Sequence, residues 1–261
     1  MEALQIILLG ILQGIAEFLP ISSSGHLVLV EELMGGSLES PALNISLHIG
    51  SLGSILVVYH ERIRRLLNQP RILWMIVLAT LPLVVVGIPL KKAFHLLDET
   101  SLMPLVAGCG LLVTAAYMFR SQRMPPGEGT LEQITPRIAI LIGVIQAIAT
   151  APGISRSGST IFAALLFGLT RSSAADFSFL IAIPAILGAT VLYGKDILES
   201  GETGLGGGLL ALGAFVSFVV GVVALRWLLK AVVGGSLDKF GWYCLVLGLI
   251  SITWQSIKLW G

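Results

Sequence analysis

The chain has 261 residues, 55% hydrophobic and 12% charged, with a formal net charge of +1 and a mean hydropathy of +0.92. Soluble domains carry about twice that fraction of charge, so an ordinary water-soluble enzyme is excluded, and the near-neutral balance indicates no nucleic-acid partner. The composition is that of a polytopic membrane protein. It shows no long series of alternating strands, so the spans are helices and the fold class is all-α.

Residues 3–34 form the first apolar region, and they do not read as one span. The run from Ala3 to Ala16 would extend only about 21 Å as a helix, against a hydrocarbon core of about 30 Å. A polar break follows at Pro20-Ile21-Ser22-Ser23-Ser24-Gly25-His26, then a second short apolar run. The first run leads into Glu17 and Pro20 rather than a small-residue cleavage site, so it does not read as a cleavable signal. Six stretches are then long enough to cross a bilayer: 41–60, 72–90, 102–119, 177–195, 207–229 and 240–258. Between the third and fourth, residues 138–170 repeat the interrupted pattern, broken at Pro152-Gly153-Ile154-Ser155-Arg156-Ser157-Gly158. Both interrupted regions are predicted to be re-entrant helix–loop–helix hairpins, because non-helical backbone at membrane depth must be buried in protein or line a wet cavity. Cys109 and Cys244 stand in apolar runs without metal-ligand spacing and read as packing residues, while Met124–Gly129 and 204–208 read as connectors.

The two hairpins are copies. A shift of 133 positions superposes Gly10 on Gly143, Gln13 on Gln146, Ile15 on Ile148, Ala16 on Ala149, Ile21 on Ile154, Ser22 on Ser155, Ser24 on Ser157 and Gly25 on Gly158. A weaker echo has Tyr59 and Tyr193 closing comparable spans. Each half is one hairpin plus three spans, and three is odd, so the second half is expected upside down relative to the first. The chain then reads as a single membrane domain over residues 1–261, with inverted repeats over approximately 3–119 and 138–258. That architecture brings broken helices together near the midplane. Basic residues orient it. Arg62, Arg64, Arg65, Arg71, Arg120, Arg123, Arg137, Arg171, Lys230 and Lys239 fall on one side, and Lys91, Lys92, Lys195 and Lys258 on the other. The positive-inside rule places the first group in the cytoplasm and both termini outside.

Ionisable residues at membrane depth are the chemical signal, since an arginine or aspartate at a helix centre costs roughly 2.5–3.5 kcal/mol to insert. Glu17 reads as an acid/base or metal-ligating carboxylate, or else as a structural partner for a helix end or an arginine, with Gln13 four residues earlier on the same helical face. Arg156 lies between Gly153 and Gly158 among Ser155, Ser157, Ser159 and Thr160 at a helix start, where free N–H groups and a guanidinium grip phosphate oxygens. The first break offers Ser22, Ser23, Ser24 and His26. There, Ser23 with His26 as its base is one reading, and N-capping with a buried histidine is the other. Across the repeat Ser23 corresponds to Arg156, Glu17 to Thr150 and His26 to Ser159, so one hairpin is expected to carry nucleophile and base and the other the anion clamp. His48, beside Asn44 and Ser46, lines the cavity or bonds a neighbouring helix. His60 and His95 fall at span ends and read as interfacial, and Gly10 and Gly14 as close helix packing rather than a dimerisation code.

The segments Gln13-Gly-Ile-Ala-Glu17-Phe-Leu-Pro-Ile-Ser-Ser-Ser-Gly-His26 and Pro152-Gly-Ile-Ser-Arg-Ser-Gly-Ser-Thr160, together with Leu47-His48-Ile49-Gly50, resemble the signatures of the bacitracin-resistance type undecaprenyl-diphosphate phosphatases. The resemblance covers the whole chain. It implies hydrolysis of the C55 isoprenyl diphosphate to the monophosphate, which recycles the carrier lipid for cell-wall polymers, in a bacterial plasma membrane. It also implies an inverted-repeat fold and an active site opening to the outer face. By position it makes Glu17, Ser23, His26 and Arg156 catalytic, with Ser23 the nucleophile, and Ser22, Ser24, Ser155, Ser157 and Thr160 phosphate-binding, supported by Gln13 and His48. Gln13 stands where some members have glutamate. That leaves one carboxylate fewer and weakens a paired-carboxylate metal site, so a divalent cation, Mg²⁺ or Ca²⁺, is an option resting on Glu17. The expected partners are the polyprenyl diphosphate and membrane lipids, and the assembly is open between monomer and homodimer. A secondary transporter or lipid-phosphate flippase shares the inverted-repeat architecture but does not need serine, histidine and glutamate converging on a phosphate clamp.

Overall fold

The computed structural model of the chain describes residues 2–34, 40–95, 102–125, 127–200 and 205–260. The side chains of Lys91, Lys92, His95, Tyr193 and Lys195, and residue Gly204, lie outside the described residues. Helix starts follow local chemistry. Proline occupies the first turn at Pro41, Pro70, Pro104 and Pro136, where the missing N–H leaves no bond unmade. The hydroxyls of Ser40 and Thr135 accept from the N–H groups of Leu43 and Ile138, satisfying donors that a helix cannot pair within itself.

The helices are α1 (Glu2–Ala16), α2 (Ser23–Met34), α3 (Pro41–Val58), α4 (His60–Leu66), α5 (Pro70–Pro82), α6 (Ile88–His95), α7 (Met103–Gln122), α8 (Pro136–Ile148), α9 (Arg156–Leu166), α10 (Arg171–Ser200), α11 (Gly207–Val233) and α12 (Asp238–Trp260). Six segments are long and apolar enough to cross a membrane: Pro41–Val58, Pro70–Leu90, Met103–Gln122, Arg171–Val191, Gly207–Val233 and Asp238–Leu259. These are the six predicted spans. The helices Ala3–Ala16 and Pro136–Ile148 are shorter.

Two details differ from the sequence reading. The fourth span begins at Arg171 rather than 177, because Asp176, 5% exposed, is drawn into the helix by an ion pair with Arg62. The second span is not a regular helix. Pro82 lacks the N–H that an α-helical turn needs, and the turn from Leu83 to Gly87 widens to a π-helix before α6 resumes.

Helices α3 and α10 form the centre, burying Leu43, Leu47 and Ile55 of the first and Phe177, Phe179 and Ile181 of the second. Around them α1 packs on α11, α5 on α8, α3 on α11, and α7 on α12. These contacts exchange under the 133-residue correspondence: α1 against α11 is the counterpart of α8 against α5, and α3–α10 and α7–α12 pair corresponding helices. Gly10 and Gly14 face Val216, Gly213 and Ser217 of α11, which is the close helix packing read from the sequence. Trp74, Val85, Phe215, Trp227 and Trp242 are exposed on the outside of the bundle, as lipid-facing residues are.

The basic residues gather at one end. Arg62 pairs with Asp176, Arg71 donates to the Ile134 carbonyl, and Arg171 donates to the Ser121 and Gln122 carbonyls. At that same end Gly129, before α8, pairs with Gly168 and Thr170, after α9. At the other end Lys258, near the close of α12, pairs with Glu32 of α2.

Candidate active site

The turns after α1 and α8 meet at their tips. Each is closed by the same serine chemistry. The Ser22 hydroxyl accepts from Gly25 N–H at 3.2 Å and sits 3.3 Å from the Ser24 hydroxyl. The Ser155 hydroxyl accepts from Gly158 N–H at 3.2 Å and sits 3.2 Å from the Ser157 hydroxyl. The contact between the tips is also reciprocal. A Cβ on Gly25 would lie 2.8 Å from Gly153 Cα, and a Cβ on its counterpart Gly158 would lie 3.0 Å from Cβ of Pro20, the counterpart of Gly153. Glycine is needed at Gly25 for the backbones to approach, and a side chain at Gly158 would press on the Pro20 ring. Two backbone residues at the tips are left-handed, Gly153 (φ +83°) and Ser22 (φ +67°). The second is an uncommon conformation for a residue with a Cβ, and strain of this kind collects at functional sites.

Neighbouring spans hold the turns. Thr114 of α7 donates to the Gly153 carbonyl at 2.9 Å and accepts from Ser155 N–H at 2.9 Å. The Cys244 thiol of α12 donates to the carbonyl of Pro20 at 3.6 Å. The Ser157 hydroxyl crosses to the Leu19 carbonyl at 3.3 Å, tying one turn to the other.

Glu17 is the hub. Its Oε1 accepts from Arg156 Nη2 at 2.5 Å, and its Oε2 accepts from Gln13 Nε2 at 3.0 Å and from the Ser23 hydroxyl at 3.5 Å. Gln13 Nε2 also lies 3.0 Å from His48 Nδ1, which is 3.9 Å from Glu17 Oε2. The side chains of Glu17 and Arg156 are 7% and 18% exposed, so neither charge is well solvated and each needs the other. The second guanidinium nitrogen, Arg156 Nη1, is buried with no partner. An unsatisfied charged donor is rare and costly. Arg156 is the first residue of α9, and Glu17 links it to Ser23, the first residue of α2; the first N–H groups and dipole of a helix favour an anion. Two helix N-termini and one guanidinium beside one carboxylate are a donor set suited to phosphate.

The structure therefore brings together Gln13, Glu17, Ser23, His48 and Arg156. It places the other candidates differently. His26 does not face Ser23. Its Nδ1 lies 2.7 Å from the Ser22 carbonyl and its Nε2 2.6 Å from the hydroxyl of Tyr243 in α12. The serine nearest a base is paired with Glu17 instead. Ser155, Ser157 and Thr160 are buried and already bonded; Thr160 donates to the Arg156 carbonyl at 2.9 Å and lies 2.5 Å from the Ser178 hydroxyl. Their hydroxyls shape the turn behind the guanidinium, whereas Ser23, Ser24 and Arg156 are partly open. His60 is exposed at the end of its span. Sequence reasoning missed Thr114, Cys244 and Tyr243, each a polar group in an apolar run. Among the described residues no three His, Cys, Asp or Glu side chains form a metal-binding group, and Glu17 is the carboxylate available at the tips.

The family model described as bacitracin resistance protein BacA matches residues 6–250. A protein of Rhodopirellula baltica named undecaprenyl-diphosphatase is 47% identical over 255 residues, covering 96% of this chain and 97% of that protein. Proteins with the same name from Methanosphaera stadtmanae and Chromohalobacter salexigens are 37% and 36% identical, each over 97% of this chain and 98% and 99% of their own lengths. With both signature turns inside the matched residues, the chain belongs to the bacitracin resistance protein BacA family.

Proposed function

We propose that this protein hydrolyses undecaprenyl diphosphate to the monophosphate and inorganic phosphate, a reading supported by relatives named undecaprenyl-diphosphatase. The observation that carries the reading is Arg156: one arm pairs with Glu17 and the other is buried and unpartnered beside two helix N-termini. The terminal phosphate takes that free arm and the N–H groups of α2 and α9. Ser23 is the nucleophile. Its hydroxyl gives its proton to Glu17 Oε2 as it attacks the terminal phosphorus, and the bridging P–O bond breaks to release the lipid monophosphate. A 3.5 Å separation is long for a hydrogen bond, but such contacts tighten when substrate binds. Glu17 passes that proton to the departing monophosphate and is a base again. Water then cleaves the phosphoserine, giving a proton to Glu17 while the Ser23 oxygen regains one as inorganic phosphate leaves, with His26, joined to the Tyr243 hydroxyl, as the second proton-exchanging group. Ser22, Ser24, Ser155, Ser157 and Thr160 act mainly by holding the two turns in shape. Were a divalent cation, Mg²⁺ or Ca²⁺, to accompany the diphosphate, Glu17 would be the carboxylate to hold it, and the ion would offset charge on the phosphoryl oxygens.

The same reading covers topology. We take α1–α2 and α8–α9 as re-entrant hairpins of an inverted repeat, supported by the exchanged helix pairs, the reciprocal Gly25–Gly153 and Gly158–Pro20 contacts and the short lengths of α1 and α8. The arginine-rich end is assigned to the cytoplasm, which puts both termini outside and the protein in the plasma membrane with its site opening outward. The test is release of inorganic phosphate from a polyprenyl diphosphate by purified protein in detergent, with Glu17→Gln and Arg156→Ala as inactive controls. Transport of the lipid without phosphate release would favour a flippase and overturn the proposal.

A further inference from the structure

His26 is held from two sides, and the second holder comes from the far end of the chain. The ring Nδ1 lies 2.7 Å from the Ser22 carbonyl. A carbonyl can only accept, so Nδ1 carries a proton. The left-handed backbone at Ser22 aims this carbonyl, which also accepts the backbone N–H of His26 at 3.2 Å. In the neutral ring Nε2 is then a lone pair, and the group facing it at 2.6 Å is the Tyr243 hydroxyl, which must donate. The two rings are parallel within 1°, with centroids 5.6 Å apart. The next residue, Cys244, grips the carbonyl of Pro20 in the same turn. Two consecutive residues of α12 thus fix both the turn and the histidine that follows it.

We infer that Tyr243 is a positioning residue for the hydrolysis: its hydroxyl fills the Nε2 lone pair of His26, so that a proton entering or leaving the imidazole passes through the Tyr243 hydroxyl. Packing alone does not account for the contact. Tyr243 is 46% exposed while His26 is 8% exposed, so the tyrosine is the outer member of the pair and its hydroxyl end is directed inward. The inference rests on the phosphatase reading above, since it assigns His26 a proton-exchanging part in that reaction.

The experiment uses the full-length protein and the isosteric substitution Tyr243→Phe, which keeps the ring and removes the donor. Losing one hydrogen bond to an exchanging nitrogen is expected to lower kcat about 5–10-fold with KM within about twofold. In a His26→Gln background the same substitution should change kcat by less than about twofold, because the effect passes through the histidine. Histidine-selective ¹⁵N labelling gives a readout independent of turnover. The chain has four histidines, and His26→Gln identifies the relevant signals. In Tyr243→Phe the unprotonated Nε2 signal should move downfield as its donor is lost, while the protonated Nδ1 signal stays. An unmoved Nε2 signal, wild-type kcat in Tyr243→Phe, or an equal loss with and without His26 overturns the inference and leaves the phosphatase reading standing. Wild-type protein that releases no phosphate overturns that reading itself.

Discussion

Arg156→Lys separates charge from geometry. The guanidinium does two jobs at once: Nη2 holds Glu17 Oε1 at 2.5 Å, and Nη1 is buried and empty-handed. A lysine ammonium is a single point and can serve Glu17 or the phosphate, not both together. Because it begins next to a 7%-exposed carboxylate, it will stay there. The transition state then loses one preorganised donor, a loss that commonly costs about 10²–10³ in kcat. The N–H groups of α2 and α9 still face the phosphate, so the lower end, about 10²-fold, is expected. Stability should behave oppositely. Lysine keeps the Glu17 pair and should cost no more than about 1 kcal/mol, whereas Arg156→Ala leaves Glu17 buried alone at about 3–5 kcal/mol. Phosphate release against substrate concentration in detergent, with thermal melting of the same preparations, measures both. Near-wild-type kcat/KM in the lysine variant would refute the two-armed clamp, as would an alanine variant as stable as the lysine one.

Rapid acid quench with labelled substrate should trap phosphoserine at Ser23; an acid-labile adduct that persists in Ser23→Ala and disappears in His26→Ala would make histidine the nucleophile, and no adduct with active Ser23→Ala would mean direct attack by water. Gly25→Ala should cost about 1–3 kcal/mol and at least tenfold in activity, because its Cβ would lie 2.8 Å from Gly153 Cα, whereas Gly188→Ala, with open space around it, should be neutral or stabilising by up to about 1 kcal/mol; equal effects in a melt and an activity assay would contradict the tip contact. In a Cys109→Ala background, Arg62→Cys should resist an impermeant thiol reagent in intact cells while a cysteine on a C-terminal extension reacts; the reverse pattern would invert the topology.

Much of the frame was legible because lipid imposes it. The six spans follow from uninterrupted hydrophobic length, and the two short broken regions from the lack of it. Glu17 and Arg156 were legible because a charge at that depth requires a reason. What the sequence hid was contact between remote helices. Tyr243 stands near the start of an apolar span, where a tyrosine reads as a membrane-interface aromatic, and nothing in its neighbours points to His26, 217 positions earlier. Spacing also misled at Ser23. Three residues on a helix share a face, but the Ser22 carbonyl turns the imidazole toward α12, and Glu17, upstream in the turn, becomes the neighbour of the hydroxyl. In the second turn Ser157 and Thr160 also reach the Leu19 carbonyl and the Ser178 hydroxyl, partners that lie beyond any local pattern.

The pairing of Glu17 with Arg156 has a consequence for how the protein is made. The partners are 139 residues apart, and ribosomes add about 5–20 residues per second. Glu17 is therefore synthesised about 7–28 s before its counter-ion exists. Until then an uncompensated carboxylate cannot settle at membrane depth except neutralised or still in contact with water. The first broken segment must wait at the surface, or in the shelter of the insertion machinery, and take its final place after the second half arrives. Translation order and assembly order are thus reversed at the centre of the molecule, and a nascent chain that stops before Arg156 should remain open to protease at the turn after α1.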